Sequence, residues 1–404
     1  MTNIQKSITN VINNGLTRTW WLLILILTMT SFLLIRISGF VGTQVLVPLF
    51  GWESGIAAVN EDEVNSIEGQ FARWDSGYYL QIAQSGYRPD GTERGFFPLY
   101  PMFIRFVSSL SGLSFIWSGL LISIISFILA CLILYKWVII DYQQGIAQYT
   151  VLWACIFPMT FFCVAVYPEA LFFLFSITSI YFARRGQFLL SGVMIALAGA
   201  TRPTAFLLAI PFILEFYQQR DYSKPRLVKF GAGMMVAPIG VISYIFFLAM
   251  QLGNFDLLKN YSQLLSSEWD SYITWPWVTL YDGFNSAIFG VNINTDWFSR
   301  ALVWQDLLFA LFALSISIWA LFRLRASVAV FLLLSTLFYF ANHGPFGYAF
   351  WSLPRHISSI PPIYLALAIL TVNLPRQFRW LPISFSIGLL LILTAWFVSG
   401  RWVA

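Results

Sequence analysis

The 404-residue chain is 58% hydrophobic and 18% aromatic, with only 10% charged residues and a mean hydropathy of +0.73. This composition excludes a soluble globular protein and is typical of a protein that crosses a membrane several times. The net charge of +5 does not indicate a nucleic-acid partner, because the basic residues stand in small groups between apolar segments and form no continuous stripe.

The first predicted transmembrane helix covers residues 19–41 and follows a polar start that carries Lys6 and Arg18. A signal peptide would place its apolar core earlier, so we expect this helix to be retained. The polar region 42–95 carries eight acidic residues against three basic ones. By the positive-inside rule this region is predicted to be an extracytoplasmic catalytic loop, with residues 1–18 on the cytoplasmic side.

The rest of the chain is predicted to form a transmembrane bundle over residues 96–252, a second acid-rich extracytoplasmic loop over 253–300, and the last transmembrane helices over 301–404. The segment 96–110 is short and carries two prolines, so we expect it to be re-entrant or interfacial. The chain is therefore predicted to be a single all-α polytopic membrane domain, residues 1–404, with 11 or 12 transmembrane helices and short interfacial helices in the two loops.

Basic connectors, such as the one with Arg184 and Arg185, are assigned to the cytoplasmic side. This assignment places three other connectors on the same outer side as Asp75. They contain Glu169, Arg202 and Arg355. The sequence thus predicts that one acidic loop and two arginine-bearing helix ends share one face of the membrane.

Asp75 is the first candidate for chemistry. An acidic loop residue beside Arg73 is often only an exposed ion pair or the cap of a helix that follows it. Aromatic residues surround it, however, and such rings belong at a membrane interface and can also stack on a sugar. These rings belong to Trp74, Tyr78, Tyr79 and Tyr87.

The pattern around Asp75 resembles the PIG-V family of mannosyltransferases, which are integral-membrane glycosyltransferases of the GT-C fold. The motifs that carry the resemblance are Arg73-Trp74-Asp75, Tyr78-Tyr79, Ile82-Ala83, Gly86-Tyr87, Phe96-Phe97-Pro98-Leu99-Tyr100-Pro101, Pro158-Met159-Thr160-Phe161-Phe162, Tyr167-Pro168-Glu169-Ala170-Leu171-Phe172, Ala200-Thr201-Arg202-Pro203 and Leu353-Pro354-Arg355-His356. His356 departs from the family pattern, in which tyrosine is usual at this position.

The resemblance implies transfer of a sugar, typically mannose, from a polyprenyl- or dolichyl-phosphate donor to an acceptor hydroxyl on the outer membrane face. It implies that Asp75 is the catalytic base. An in-line displacement needs such a carboxylate near the attacking hydroxyl, and a phosphate leaving group needs positive charge facing it. We expect Arg202 and Arg355 to supply that charge, with His343 and His356 as weaker candidates, and Arg73, Trp74, Tyr78, Tyr79 and Glu169 to complete the substrate site.

Each of these roles has a structural alternative. Arg202 before Pro203 could be an interfacial anchor whose side chain reaches to the membrane surface. Glu169 could be a partner of the helix dipole instead of a second acid that orients Arg202. The acidic run Glu61-Asp62-Glu63 could bind a metal ion, but charge runs in loops are usually solvated, so neither a metal nor another cofactor is predicted.

A transporter or flippase of lipid-linked sugars is the rival function. It would place ionisable residues near the bilayer midplane, with broken helices in related halves. Here the charges gather at helix ends and no repeat is apparent. An inactive scaffold subunit is a third alternative. The expected location is a prokaryotic cytoplasmic membrane, with the endoplasmic reticulum membrane and a luminal site as the alternative. The sequence does not identify the acceptor, for which a glycolipid, a glycan and a protein stay open.

Overall fold

The computed structural model describes residues 19–50, 68–88, 91–252, 271–290, 296–344 and 348–403. These residues are mainly helical. The α-helices, in chain order, are α1 Trp20–Val41, α2 Val47–Phe50, α3 Ser76–Ser85, α4 Leu99–Ser111, α5 Phe115–Val138, α6 Gln144–Ile156, α7 Glu169–Arg184, α8 Phe188–Gly199, α9 Ala209–Gln219, α10 Lys224–Val236, α11 Ile239–Leu252, α12 Pro276–Phe289, α13 Trp297–Arg323, α14 Ala326–Ala341, α15 Leu353–Ile357, α16 Pro362–Asn373 and α17 Trp380–Val398. Two short strands, β1 Tyr272–Ile273 and β2 Asn342–His343, pair antiparallel and are the small departure from the all-α prediction.

The described helices include five segments that are long and apolar enough to cross a membrane, and three shorter apolar helices. The five are Trp20–Phe50, Phe115–Val138, Lys224–Gln251, Trp297–Arg323 and Arg376–Val398, and the shorter three are α8, α14 and α16. The chain is therefore an integral membrane protein. The total of 11 or 12 spans stays a prediction.

Two helices have bounds that differ from the predicted ones. The first helix does not stop at residue 41, because a π-helical turn over Gly42–Leu46 leads directly into α2. Gly42 permits this continuation, since it packs directly against the backbone of Ala395 in α17 and has no side chain to collide with it. Helical structure therefore continues to Phe50, nine residues beyond the predicted end, and α13 begins at Trp297, four residues before the predicted boundary.

The short helix α4 spans 13 residues, or about 20 Å of rise, which is less than the hydrocarbon thickness of about 30 Å. Its outward face carries the exposed side chains of Met102, Phe106 and Leu110. Both features agree with the expected re-entrant or interfacial segment, whose position in the membrane stays a prediction.

Close helix packing fixes the middle of the bundle. Helix α5 packs on α7, α7 on α8, and α8 on α10 and α11. Helices α8 and α10 approach each other closely: a side chain at Gly192 would collide with the backbone of Gly233, and one at Gly233 with the backbone of Phe188. This packing places the chain that leaves α8, Ala200-Thr201-Arg202, beside the start of α4, where the Leu99 amide donates to the Ala200 carbonyl at 2.9 Å.

Candidate active site

Asp75 stands immediately before α3, at the position of a helix cap, but its side chain makes no capping hydrogen bond. Its Oδ2 instead accepts a hydrogen bond from Nη1 of Arg355 at 2.6 Å, 280 residues away in the chain. The residue before it, Trp74, has a φ of +54°, a left-handed conformation that is costly for a bulky side chain. The structure thus turns the Asp75 carboxylate away from its own helix and toward Arg355.

Glu169 is the first residue of α7, directly after Pro168, and its side chain is completely buried. Arg202 Nη2 donates a hydrogen bond to its Oε1, and Arg355 Nε lies 3.4 Å from the same oxygen. Its second oxygen, Oε2, is buried with no hydrogen-bond partner among the described residues. Glu169 therefore lies between the two guanidinium groups and orients both, as the sequence suggested for Arg202.

Arg202 lies in the extended stretch between α8 and a 3₁₀ turn, Pro203–Leu208. Its Nη1 lies 3.0 Å from Nδ1 of His356. A guanidinium can only donate, so His356 accepts at Nδ1 and is the neutral tautomer with its proton on Nε2. Burial lowers the pKa of His356 well below its usual value, and the charges of Arg202 and Arg355 lower it further. His356 also stacks on Tyr339, with ring centroids 4.9 Å apart.

Arg355 is buried in the short helix α15 and is surrounded by three aromatic rings. Its guanidinium carbon lies 5.5 Å from the ring centroid of Phe162, 5.4 Å from that of Tyr167 and 5.3 Å from that of Trp402. Burial lowers the pKa of Arg355, but the Asp75 and Glu169 carboxylates outweigh burial and raise the pKa above its usual value. Arg355 is thus a permanent cation held in a low-dielectric setting.

These side chains line a cavity of about 340 Å³. Its polar wall consists of Asp75, Thr201, Arg202, Thr204, Asn342, Arg355 and His356. Its apolar wall includes Tyr79 and Phe96, together with Phe206 and Phe338, whose ring centroids are 5.2 Å apart. Ile273 of β1 and Asn342 of β2 also line it, so the paired strands contribute to one wall. A cavity with two guanidinium groups and a carboxylate in one wall is suited to a small anionic, polyhydroxylated ligand.

The predicted site residues fall into two groups. Asp75, Tyr79, Glu169, Arg202, Arg355 and His356 come together, five of them in the cavity wall and Glu169 directly behind it. The other three lie outside the cavity wall: Arg73 is buried beneath the turn, Trp74 packs on Trp402, and Tyr78 stacks on Phe96 at 4.6 Å. Burial also lowers the pKa of Arg73 to about 9.

One weaker candidate, His343, lies outside the cavity, and another falls outside the described residues. His343 stacks on Tyr272 and has Nε2 3.2 Å from Asp282 Oδ2, outside the cavity lining. The acidic run Glu61-Asp62-Glu63 lies outside the described residues. Within the described ranges, no group of three or more histidine, cysteine, aspartate or glutamate side chains is arranged to hold a metal ion.

Sequence reasoning missed the aromatic partners of the charged residues. Tyr339 lies near the end of the apolar run of α14, and Trp402 follows the apolar run of α17, where each resembles any interfacial ring. Their roles depend on packing between distant segments, which spacing along the chain does not reveal.

The family model for mannosyltransferase (PIG-V) matches residues 16–343, which include Asp75, Glu169 and Arg202 but not Arg355, His356 or Trp402. The chain is also similar to GPI mannosyltransferase 2 of Yarrowia lipolytica, with 27% identity over 143 residues. That match covers 35% of this chain and 39% of the relative, so the chain matches about two-fifths of the curated relative's length.

Among solved structures, the chain is similar to ArnT from Cupriavidus metallidurans bound to undecaprenyl phosphate, with a TM-score of 0.51 and 12% identity over 93% of this chain and 64% of that one. The apo form of the same protein gives a TM-score of 0.49 and 11% identity over 95% of this chain and 76% of that one. The likeness to the bound form shows the GT-C type of fold that was predicted. With the family model matching most of its length, the chain belongs to the mannosyltransferase (PIG-V) family.

Proposed function

We propose that this protein transfers a sugar, mannose, from a polyprenyl- or dolichyl-phosphate donor to an acceptor hydroxyl, with inversion at the anomeric carbon. The observation that carries the proposal is the Asp75–Arg355 pair, which joins a carboxylate and a buried cation at 2.6 Å in the wall of one cavity. The family membership supports glycosyl transfer and the name of the sugar.

In the proposed reaction, the Asp75 carboxylate accepts the proton of the acceptor hydroxyl while that oxygen attacks the anomeric carbon. A bond forms between the acceptor oxygen and this carbon, and the bond from the carbon to the phosphate oxygen breaks. The electron pair of the broken bond stays on the phosphate, which leaves as the polyprenyl phosphate. Arg355 and Arg202 face the negative charge that develops there and stabilise it.

Both arginines of the site already share their hydrogen bonds among neighbouring side chains. Arg355 is shared between Asp75 and Glu169, and Arg202 between Glu169 and His356. Planar guanidinium groups bind phosphate oxygens through paired hydrogen bonds, so an arriving phosphate can take the outward-facing donors of both arginines. When Arg355 turns toward the phosphate, the Asp75 oxygen that it occupied becomes available to the acceptor hydroxyl.

We assign the lipid part of the donor to an apolar exit at Phe206, four residues after Arg202 in the chain. Phe206 lines the cavity there and is 51% exposed on the outside of the bundle. The ArnT structure with a similar fold was solved with undecaprenyl phosphate, which agrees with a lipid-linked donor. We place the active site on the extracytoplasmic face of a prokaryotic cytoplasmic membrane, on the acid-rich loops and basic connectors of the sequence.

The experiment uses purified protein, a short-chain polyprenyl-phosphate mannose and a panel of sugar acceptors. Asp75→Asn keeps the shape of the side chain and removes its basicity, so we expect transfer to fall by about 100-fold or more. Asp282→Asn, which changes an acid outside the cavity, is the matched control and is expected to retain transfer. Near-normal transfer by Asp75→Asn would remove Asp75 from the role of base. Movement of the intact donor across liposome membranes without bond cleavage would favour the transporter alternative.

A further inference from the structure

One arginine lies inside the first membrane-spanning segment. Arg36 stands 16 residues after Trp20, within the apolar segment Trp20–Phe50. At a rise of about 1.5 Å per residue it lies about 24 Å along the helix from Trp20, a residue type that is typical of the membrane interface. The hydrocarbon layer is about 30 Å thick, so the Arg36 backbone lies within it. A charged side chain at this depth is costly unless a partner satisfies it.

The protein gives Arg36 no partner for its charge. Its Nε is buried without a hydrogen-bond partner, and no hydrogen bond or ion pair joins its other nitrogens to the residues that the structure describes. Arg202 and Arg355 differ in this respect, because each meets a buried carboxylate. Only Nε of Arg36 is fully buried and the side chain is partly exposed, so its two terminal nitrogens can be reached from outside the bundle.

Two aromatic rings fix the guanidinium group of Arg36. Its carbon lies 3.9 Å from the ring centroid of Phe71 and 4.9 Å from that of Phe32. Phe71 stands four residues before Asp75, and its ring also meets α1 at Gly39, where a side chain would begin 3.0 Å from it. An arginine that only anchors a helix extends its side chain along the helix to the interface. The Arg36 side chain is held instead against the turn that precedes Asp75.

The ring contacts leave the hydrogen-bond donors of Arg36 unsatisfied. A guanidinium group has five N–H donors in its own plane, whereas a ring beneath it interacts with its face. The missing partner must therefore bring several acceptor oxygens and a negative charge, and it must come from the membrane that surrounds α1. The phosphate group of a lipid meets these requirements, since a guanidinium group pairs with two phosphate oxygens at once. Water would satisfy the donors but would leave the charge unbalanced.

We infer that Arg36 binds the phosphate group of a membrane lipid, and that the bound phosphate fixes the guanidinium over Phe71 and so holds this turn against α1. The Phe71 carbonyl accepts a hydrogen bond from the Val166 amide at 2.9 Å, and Val166 lies three residues before Glu169. The turn is thus joined to both segments that carry the carboxylates of the site, Asp75 and Glu169. Lipid binding is independent of the proposed function, whereas its effect on sugar transfer rests on that function.

The first test measures lipid binding to the full chain by native mass spectrometry and needs no sugar donor. The probes are phosphatidylglycerol and a short-chain polyprenyl phosphate, which present phosphate oxygens on different chains, and diacylglycerol, which has no phosphate. Arg36→Gln is compared with Arg105→Gln, because Arg105 is exposed on α4 and already donates to the Gln84 carbonyl. We expect Arg36→Gln to bind one phosphate lipid about tenfold more weakly than the wild type, the loss of a charged hydrogen-bonded pair. Binding by Arg105→Gln, and binding of diacylglycerol, should not change.

A difference with either phosphate lipid supports the inference and identifies the source of the phosphate. A polyprenyl phosphate in the catalytic cavity would bind to wild type and variant equally, so it does not affect the comparison. Equal binding of both phosphate lipids by the wild type and Arg36→Gln would overturn the inference. An equal loss in Arg105→Gln would also overturn it, because binding would then be a general property of arginines near the membrane surface.

The second test measures the effect on transfer. The mannose donor and acceptor are supplied in phosphate-free detergent, with and without the lipid identified in the first test. We expect this lipid to raise transfer by the wild type about fivefold or more, the lower range of couplings between separate sites, and to leave transfer by Arg36→Gln unchanged.

Three results of the second test are informative against the account. No rise in the wild type, or an equal rise in both proteins, would overturn the coupling to Asp75. If Arg36→Gln lowers transfer by the same factor with and without lipid, Arg36 supports the fold and not a lipid response. If the wild type cleaves no donor under any condition, the proposed function fails, while the lipid site still stands or falls with the binding experiment.

Discussion

The site depends on a small set of shared charges. Two carboxylates, Asp75 and Glu169, face two guanidinium groups, Arg202 and Arg355, so the charges of these side chains balance. A phosphate donor adds negative charge to the cavity. Both arginines line the cavity, so their guanidinium groups can neutralise that charge. Glu169 keeps the arginines in place through this exchange, since its Oε1 contacts both of them. Removing Glu169 would leave two buried cations with one acid between them.

His356 gives a prediction about pH. Its folded pKa is well below 6.5, whereas the unfolded chain regains a value of about 6.5. As pH falls below about 6.5, the unfolded state binds a proton that folded His356 does not, so the stability that the neutral ring contributes is lost on the acid side. We expect the unfolding temperature of the wild type to fall between pH 7.5 and 5, and to fall less in His356→Gln, when both are measured by scanning fluorimetry.

Identical slopes for the two proteins would show that His356 is protonated in the folded state. Such a result would also contradict the acceptance by Nδ1 of a hydrogen bond from Arg202.

Metal removal gives a second prediction at this scale. Because Arg202 and Arg355 together face the phosphate position, the proposed mechanism needs no divalent cation to neutralise the leaving group. We expect transfer to be unchanged after incubation with EDTA and after gel filtration into metal-free buffer. Loss of activity that Mg²⁺ or Mn²⁺ restores would show that the charge of the arginines is insufficient.

The site residues lie at or near the ends of four helices that meet at the cavity. The turn before α3, the start of α7, the chain after α8, and α15 each contribute one charged residue. Two contacts join the first two elements: the Val166 amide donates to the Phe71 carbonyl at 2.9 Å, and the Tyr167 hydroxyl donates to the Arg73 carbonyl at 2.9 Å. These two hydrogen bonds hold the backbone before α3 against the chain that leads into α7.

The crossing of α8 and α10 tests this dependence. Gly233 packs on the backbone of Phe188 and Gly192, whereas Gly231, two residues earlier in the same helix, has open space where a side chain would begin. We expect Gly233→Val to lower the unfolding temperature, because overpacking costs about 1–3 kcal/mol, and Gly231→Val to have little effect. Because α8 leads into Arg202, Gly233→Val should also weaken donor use. Equal unfolding temperatures for the two variants would show that the helices separate without cost.

The elements were predictable to different degrees. Apolar runs located the first transmembrane helix and the later transmembrane regions, because such runs depend only on local composition. The predicted end of α1 was wrong. The polar residues Thr43 and Gln44 suggested a loop, but the chain stays helical there because Gly42 packs against the backbone of Ala395.

At the scale of the whole molecule, charge placement predicted which connectors could meet. The acidic loops and basic connectors assigned Asp75, Glu169, Arg202 and Arg355 to one side, and the structure brings all four together. The sequence could not predict which of these four side chains pair with each other. Arg355 bonds Asp75 across 280 positions of the chain, and the residue beside Asp75 meets Trp402 across a still longer separation, which no local pattern encodes.

The most direct test of the central claim is a cryo-EM structure of Asp75→Asn with a polyprenyl-phosphate mannose bound. The account predicts the phosphate within hydrogen-bond distance of both Arg202 and Arg355, with the anomeric carbon facing residue 75 and the lipid leaving past Phe206. A phosphate bound away from both arginines, or a sugar that residue 75 cannot reach, would contradict it.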